Sequence, residues 1–158
     1  MKPIFNINPN VSWERLSLNP NAIDILEMNI DKIDWCYIGT NPNKNAIKLI
    51  EQNLDKITHQ TLINICSNKN IELIFDKISD KLDMHCWNYI TQNENAISIL
   101  ENNIDKINWL NIALNKSAIN IIEKYLGKVD WKKLSSNPNA VGVLERNPNA
   151  IRWKELSL

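Results

Sequence analysis

Both histidines and two of the three cysteines lie near the middle of this 158-residue chain, and they are the side chains best suited to bind a metal ion. Zinc takes imidazole and thiolate ligands, which His59, Cys66, His85 and Cys86 could supply. His85 and Cys86 are adjacent, however, so on a helix they point in different directions and form no chelate by themselves. Two cysteines separated by two residues, a spacing typical of zinc sites, do not occur. We therefore predict no metal ion, no cofactor and reduced thiols.

Carboxylates are the next candidates for catalysis, and here a glutamate recurs at one position of a repeated unit. Such repetition favours a structural duty, for example pairing with a neighbouring lysine, over a catalytic pair, which would occur once. A Cys–His nucleophile pair is conceivable but has no supporting motif. Glycine-rich phosphate loops, dinucleotide fingerprints and zinc-protease motifs are absent from the sequence. We therefore predict that the chain is not an enzyme. The recurring glutamates are Glu27, Glu51, Glu101, Glu123 and Glu145.

The charges of the chain balance, with 18 basic and 18 acidic side chains. A net charge of zero gives no general attraction to nucleic acid or to an anionic membrane. Lys132, Lys133 and Lys154 concentrate positive charge locally, but the first unit carries Glu14 and Arg15 at matching positions. A solvated helix face is therefore the simpler interpretation of these lysines. No segment resembles a signal peptide or a membrane span, so we predict an intracellular protein that binds neither membrane nor nucleic acid.

The elements that would position these side chains follow from an internal repeat. Residues 13–26 read WERLSLNPNAIDIL, and residues 131–144 read WKKLSSNPNAVGVL. A second block, ending in Asp-Lys-Ile-Asp-Trp or a close variant, recurs between these segments. A step of 22 residues joins the first two tryptophans and, after a gap, the last four, which is within the range of solenoid repeats. The tryptophans are Trp13, Trp35, Trp87, Trp109, Trp131 and Trp153.

Each unit is predicted to form two short helices. Asn19 and Pro20 suit a helix start, and Asp31 or Asp34 could cap the second helix. Apolar residues step by three and four rather than by two, which favours helices over strands. The class is therefore all-α, in a single domain over residues 1–158. The units lie near 11–32, 33–56, 57–81, 82–106, 107–128 and 129–150, with a partial unit at 151–158.

Two units depart from the pattern. The unit at 33–56 carries two extra residues in its central turn. The unit near 57–82 is degenerate, and His59 stands at its tryptophan position. In the unit that follows, either Met84 or Trp87 could hold the tryptophan position.

Helices of about eight residues are not stable alone in water, so the units should stack into an α-solenoid. The tryptophans would then line the seam between neighbouring units and contribute most of the apolar burial. We expect this structural role for Trp13, Trp35, Trp109, Trp131 and Trp153.

The motifs Leu16-Ser-Leu-Asn-Pro-Asn-Ala-Ile23 and Asp31-Lys-Ile-Asp-Trp35 carry a family resemblance, and the first returns at 134–144. The unit resembles tandem repeats found in many copies in mimivirus-like giant DNA viruses of protists. The resemblance implies a viral origin and a helical-repeat interaction protein in the host cytoplasm, the viral factory or the virion. It implies no catalytic residues.

The two positions after each tryptophan vary most between units, and we call them the variable surface. Differing side chains on a fixed scaffold are how solenoids reach specificity, although drift at exposed positions would give the same pattern. The predicted function is a non-catalytic protein–protein interaction module or scaffold. The alternative is a self-assembling structural protein, a homo-oligomer joined through the repeat ends. The candidate partner-binding residues are Glu14, Arg15, Tyr37, Trp87, Tyr89, Leu110, Lys132, Lys133 and Lys154.

Overall fold

The computed structural model of the chain describes residues 10–150, in which every regular element is an α-helix or a 3-10 helix and there is no β-strand. The all-α prediction is therefore confirmed. Contacts group the chain into two compact units, residues 1–81 and residues 82–158. Their boundary coincides with a boundary predicted between sequence repeats. Trp153, Lys154 and the partial repeat at 151–158 lie outside the described residues.

The first compact unit consists of short helices joined by tight turns. α1 packs against α3, α3 packs against α5, and α2 contacts α4. Short 3-10 helices at 30–32, 71–73 and 79–81 connect the α-helices. The helices are α1 (Trp13–Leu18), α2 (Ile23–Glu27), α3 (Trp35–Ile38), α4 (Lys44–Glu51), α5 (His59–Cys66) and α6 (Phe75–Ile78).

The second compact unit likewise consists of short helices joined by tight turns. α7 packs against α9, and 3-10 helices occupy residues 104–106, 126–128, 138–140 and 148–150. The helices are α7 (Met84–Gln92), α8 (Ile97–Asn102), α9 (Trp109–Ile112), α10 (Ile119–Lys124), α11 (Trp131–Leu134) and α12 (Val141–Glu145).

Side-chain caps determine where several of these helices begin. Asp34 accepts hydrogen bonds from the backbone N–H groups of Cys36 and Tyr37, so it is Asp34 that caps α3, while Asp31 lies in a 3-10 helix. The Asn-Pro segment does not start an α-helix directly. Asn19 closes a turn, and α2 begins at Ile23.

Isoleucine and leucine form the core of each compact unit. Leu26, Ile38 and Ile50 are fully buried in the first unit, and Leu100 and Ile112 in the second. The indoles lie at the edge of this core. The half-buried tryptophans are Trp13, Trp35, Trp109 and Trp131.

Buried asparagines join successive repeats within each compact unit. The Asn41 Nδ2 group donates to the carbonyls of Ser17 (2.7 Å) and Asn19 (3.2 Å), which belong to the preceding repeat. Its Oδ1 accepts from the backbone N–H of Asn43 at 3.0 Å. Asn41 is 0% exposed, and its bond to the Ser17 carbonyl is buried, whereas the other two bonds are partly buried. One side chain therefore supports its own turn and holds the repeat before it.

The same arrangement recurs at corresponding positions, and we call these residues the asparagine ladder. Asn68 donates to Gly39 and Asn41, and Asn115 donates to Thr91 and Asn93. Among residues 10–150, no buried side-chain nitrogen or oxygen lacks a hydrogen-bond partner. The ladder therefore satisfies the polar groups that close packing of the turns removes from water. Asn137 donates to Ala113 and Asn115 in the same way, so the ladder consists of Asn41, Asn68, Asn115 and Asn137.

A small residue stands two positions before each of these asparagines. Ser17 donates to the Trp13 carbonyl and accepts from the backbone N–H of Asp34, which ties two repeats together. Gly39 occupies the same position in α3 and its turn. A Cβ atom there would lie 3.0 Å from Asn64 Cβ and 3.1 Å from the backbone oxygen of Thr61. A larger side chain would therefore force α3 and α5 apart.

Gly39→Ala should lower the free energy of unfolding by about 1–2 kcal/mol, because the new methyl group overlaps a backbone oxygen that cannot rotate away. Gly127→Ala is the matched control, since a Cβ atom at Gly127 would meet nothing within 4 Å. That substitution should be neutral or stabilise by ~0.5 kcal/mol, because it restricts the unfolded chain. Urea denaturation of both variants measures the difference, and equal effects would show that the approach of α3 to α5 is not tight.

The structure explains why the middle repeats appear degenerate. Asp83 caps α7 and Met84 is its first residue, but Trp87 lies six residues before Asn93, as the other tryptophans lie before their asparagines. Met84 therefore corresponds to the other tryptophans in beginning its helix, and Trp87 corresponds to them in its distance from the asparagine. α7 has about one additional turn at its start. α5 has the same extension, so His59 begins the helix while Leu62 occupies the tryptophan position relative to Asn68.

Candidate functional site

Most of the variable surface is exposed in the described part of the chain. Tyr37 is 36% exposed, Tyr89 37% and Leu110 53%. Glu14, Arg15 and Lys132 are also exposed, whereas Lys133 is half-buried. Trp87, a candidate partner-binding residue outside the variable surface, is only 8% exposed. It therefore offers a partner one part of its ring rather than a free indole.

Neighbouring repeats are linked across this surface by polar contacts. Tyr37 in α3 forms a side-chain hydrogen bond with Glu14 in α1, and this bond, with the negative charge of Glu14, raises the pKa of Tyr37. The phenol therefore stays neutral at every physiological pH. Lys133 Nζ in α11 donates to Asn111 Oδ1 in α9 at 3.1 Å. Such links hold the side chains of the variable surface in defined positions.

Two of the recurring glutamates form the ion pairs expected for a structural duty. Glu51 contacts Lys77 Nζ at 2.9 Å, and Glu123 pairs with Arg146 in the following repeat. Both pairs are substantially exposed, so each contributes little to stability.

An aromatic contact lies on the second compact unit. The rings of Trp109 and Tyr125 are 5.3 Å apart, and Lys128 Nζ lies 5.1 Å from the centre of the Trp109 ring. The ammonium group already covers these faces through a cation–π interaction. Trp109 is therefore engaged by its own chain, which agrees with a structural role for this indole.

The second compact unit carries a groove of about 510 Å³ beside Trp87, which we call the α7 groove. One wall is the extended first turn of α7 and the residue that precedes it, with Leu82, Met84 and Trp87. The other wall is the segment that leads into α9, with Ile107 and Asn108. The volume lies within the range of sites that bind small ligands. Asp83, Asn88, Asp105 and Lys106 complete the lining.

Some polar groups of the α7 groove already form hydrogen bonds within the chain. Asn108 Oδ1 accepts from the backbone N–H groups of Leu110 and Asn111, which orients its amide to donate to Asn88 Oδ1. Asp83 Oδ1 accepts from the backbone N–H of Cys86 at 2.9 Å. The Asn88 amide nitrogen donates to no group in the described part of the chain, so a half-buried donor remains available.

This groove was not predicted from the sequence, although Trp87 was a candidate partner-binding residue. Met84, Asn88 and Ile107 were not among the candidate residues. A signal was present in the numbering, because ten residues separate the Asp83 cap from Asn93, whereas seven separate Asp34 from Asn41. Three additional residues add nearly one helical turn. That turn carries Met84, which is 82% exposed.

No protein-family model, curated protein or solved structure matches the chain. Among residues 10–150, no helix is both long enough and apolar enough to cross a lipid bilayer.

Proposed function

We propose that the chain is an α-solenoid of short two-helix repeats that binds another protein and catalyses no reaction. The observation that carries this proposal is the contrast between two sets of positions in each repeat. The asparagine ladder is buried and keeps one residue type, whereas the variable surface is largely exposed and changes in charge and size. Constant contacts build a scaffold, and variable exposed side chains give it specificity.

The resemblance to giant-virus repeats supplies the expected setting. The partner would be a protein of the virus or of its host, met in the host cytoplasm or the viral factory. Tyr37 and Leu110 are suitable anchors because exposed tyrosine and aliphatic side chains contribute apolar area at protein interfaces. Lys132 and Lys133 would select a partner that presents acidic groups.

Reversing the charge of Lys132 and Lys133 together should weaken capture of the partner from a host-cell extract by at least about tenfold. The melting temperature should change by no more than about 2–4 °C, because substitutions of exposed side chains cost little and the hydrogen bond shown for the Lys133 ammonium group is a single one, with Asn111. Quantitative mass spectrometry of the captured proteins, with thermal unfolding measured in parallel, checks both expectations.

The matched control is charge reversal at Lys44 and Lys48, which are exposed on α4 and away from the variable surface. This control makes the same change in net charge but alters no residue of the variable surface. It should therefore leave capture unchanged. If both double variants lose the partner equally, only overall charge matters. If neither loses it, the variable surface is not the binding face.

Self-association is a second candidate because Asn19, at one of the repeated asparagine positions, holds no preceding repeat in the described part of the chain. Asn19 Oδ1 accepts from the backbone N–H of Asn21, but the Asn19 amide nitrogen donates to no described residue, and the side chain is exposed. In a second copy, the same kind of carbonyl pair that receives Asn41 could receive it. Light scattering over a concentration series tests this candidate, and a strict monomer at high concentration removes it.

A further inference from the structure

Neighbouring repeats within a compact unit meet through a fixed set of contacts. In the first unit, Asn41 Nδ2 donates to the carbonyls of Ser17 and Asn19. Asn43 Nδ2 donates to the Pro20 carbonyl at 2.7 Å. These bonds accompany the packing of α1 against α3 and of α2 against α4. A repeat therefore presents amide donors on one edge and carbonyl acceptors on the other.

The amide donors of the first repeat are not used within the described part of the chain. Asn19 and Asn21 occupy the positions of the two donating asparagines one repeat earlier, and both are exposed. Asn19 Oδ1 accepts from the backbone N–H of Asn21, but neither Nδ2 group donates to a residue within 10–150. Leu16 in α1 is half-buried, whereas Ile38 at the same position of the next repeat is 0% exposed. We call Leu16, Asn19 and Asn21 the donor edge.

Matching acceptors lie in the repeat that contains α11 and α12. The carbonyls of Asn137 and Pro138 correspond to those of Asn19 and Pro20, and they accept from no side chain of residues 10–150. Val141, the first residue of α12, is 52% exposed, whereas Ile23 at the same position of the first repeat is 5% exposed. We call Asn137, Pro138 and Val141 the acceptor edge.

From these observations we infer that the donor edge of one copy of the chain binds the acceptor edge of a second copy. Asn19 donates to the Asn137 carbonyl of the second copy, and Asn21 donates to its Pro138 carbonyl. Leu16 and the Val141 side chain of the second copy lose exposed apolar area in the same contact. The contact continues the junction that the chain already forms between its own repeats, so its geometry is one that the chain already shows.

The two edges differ, so the contact is heterologous, and every copy that binds leaves one edge of each kind open to a further copy. This inference rests on the self-association candidate of the proposed function and identifies the two surfaces that meet. It uses neither of the lysines to which partner capture is assigned.

Asn19→Asp and Val141→Lys test the two edges separately. Aspartate keeps the oxygen that accepts from the Asn21 N–H but, when ionised, has no donor for a second copy. Lysine at position 141 places a charge on the acceptor edge, at a side chain whose exposure leaves the core intact. Light scattering of the original chain should show a mass that rises with concentration up to about 1 mM. Each variant should associate at least about tenfold more weakly.

A mixture of the two variants gives the sharper result, because each retains the edge that the other has lost. Equal amounts should form particles of two chains and grow no further, since the remaining edges are both altered. Asn102→Asp and Leu110→Lys are the matched controls. They make the same chemical changes at exposed residues outside both edges, and they should assemble as the original chain does.

The outcomes separate this inference from the proposals on which it builds. A strict monomer over the whole concentration series would overturn the inference together with the self-association candidate. Assembly that persists in either edge variant, or a mixture without two-chain particles, would overturn the inference alone, because the copies would then join elsewhere. Capture of a partner through Lys132 and Lys133 is a separate measurement, so it can succeed or fail independently of these results.

Discussion

Asn41→Ala is expected to lower the free energy of unfolding by about 3 kcal/mol or more. The substitution removes two hydrogen bonds to the Ser17 and Asn19 carbonyls and one from the Asn43 backbone N–H. Alanine cannot replace them, and the Ser17 carbonyl, whose bond to Asn41 is buried, is left without a partner. A buried polar group without a partner costs ~1–3 kcal/mol, beyond the loss of the bond itself. Urea denaturation followed by circular dichroism measures the change.

Asn19→Ala is the internal control for this prediction. Asn19 occupies the same position one repeat earlier and makes the same turn, with Asn21, but its side chain is exposed and its amide nitrogen donates to no described residue. Its replacement should therefore cost only about 0.5–1 kcal/mol, the usual contribution of one hydrogen bond. Similar losses at the two positions would show that the turn, and not the contact between repeats, accounts for the conservation of asparagine within the chain.

The class of fold was predictable from the sequence because apolar spacing records helical geometry directly. Ile23 and Leu26, three residues apart, are both buried on α2, and the Asp34 cap lies where the sequence places a helix start. The asparagine ladder was not predicted, since asparagine beside proline is typical of a turn and polar side chains are usually exposed. Only three-dimensional packing shows that the carbonyls of one turn face the amide of the next. The repetition of asparagine in every unit was the available signal.

The candidate site was predictable to a smaller extent. Exposure of Tyr37 and Leu110 follows from their helical phase relative to the buried positions, so periodicity alone indicates it. The burial of Trp87 and the α7 groove beside it depend on the length of one helix relative to its neighbour. That length is set by a cap at Asp83 whose register was ambiguous in the sequence. Tryptophan likewise appeared to be the main core residue because of its size, but isoleucine and leucine fill the fully buried positions.

The ladder also assigns a physical reason to the strict choice of asparagine over aspartate. At four rungs, Asn41, Asn68, Asn115 and Asn137, one oxygen accepts from a backbone N–H while the nitrogen donates to two carbonyls. An aspartate has the oxygen but, when ionised, no donor. A scaffold built this way tolerates wide variation outside and almost none at the rungs, which agrees with the proposed division between constant contacts and a variable surface.

Asn115→Asp should therefore produce a protein whose stability falls as the pH rises. Asn115 is 1% exposed and donates to the Thr91 and Asn93 carbonyls at 2.9 and 3.3 Å. A neutral carboxylic acid keeps one O–H donor for these oxygens, whereas a carboxylate repels both and is buried without a counter-charge. The folded state consequently binds the acid proton more tightly than the unfolded state does.

The linkage has a definite sign and range. Above about pH 4, where an unfolded aspartate ionises, the free energy of unfolding of the Asn115→Asp variant should fall by up to ~1.4 kcal/mol per pH unit. By pH 7 it should lie at least about 3 kcal/mol below that of the original chain. Asn115→Ala lacks the ionisable group, so its deficit relative to the original chain should be the same at pH 4 and pH 7. Urea denaturation of the three proteins at both values measures these differences. A deficit for the aspartate variant that does not change with pH would mean that the carboxylate escapes to solvent, and that the turn opens more easily than its buried bonds imply.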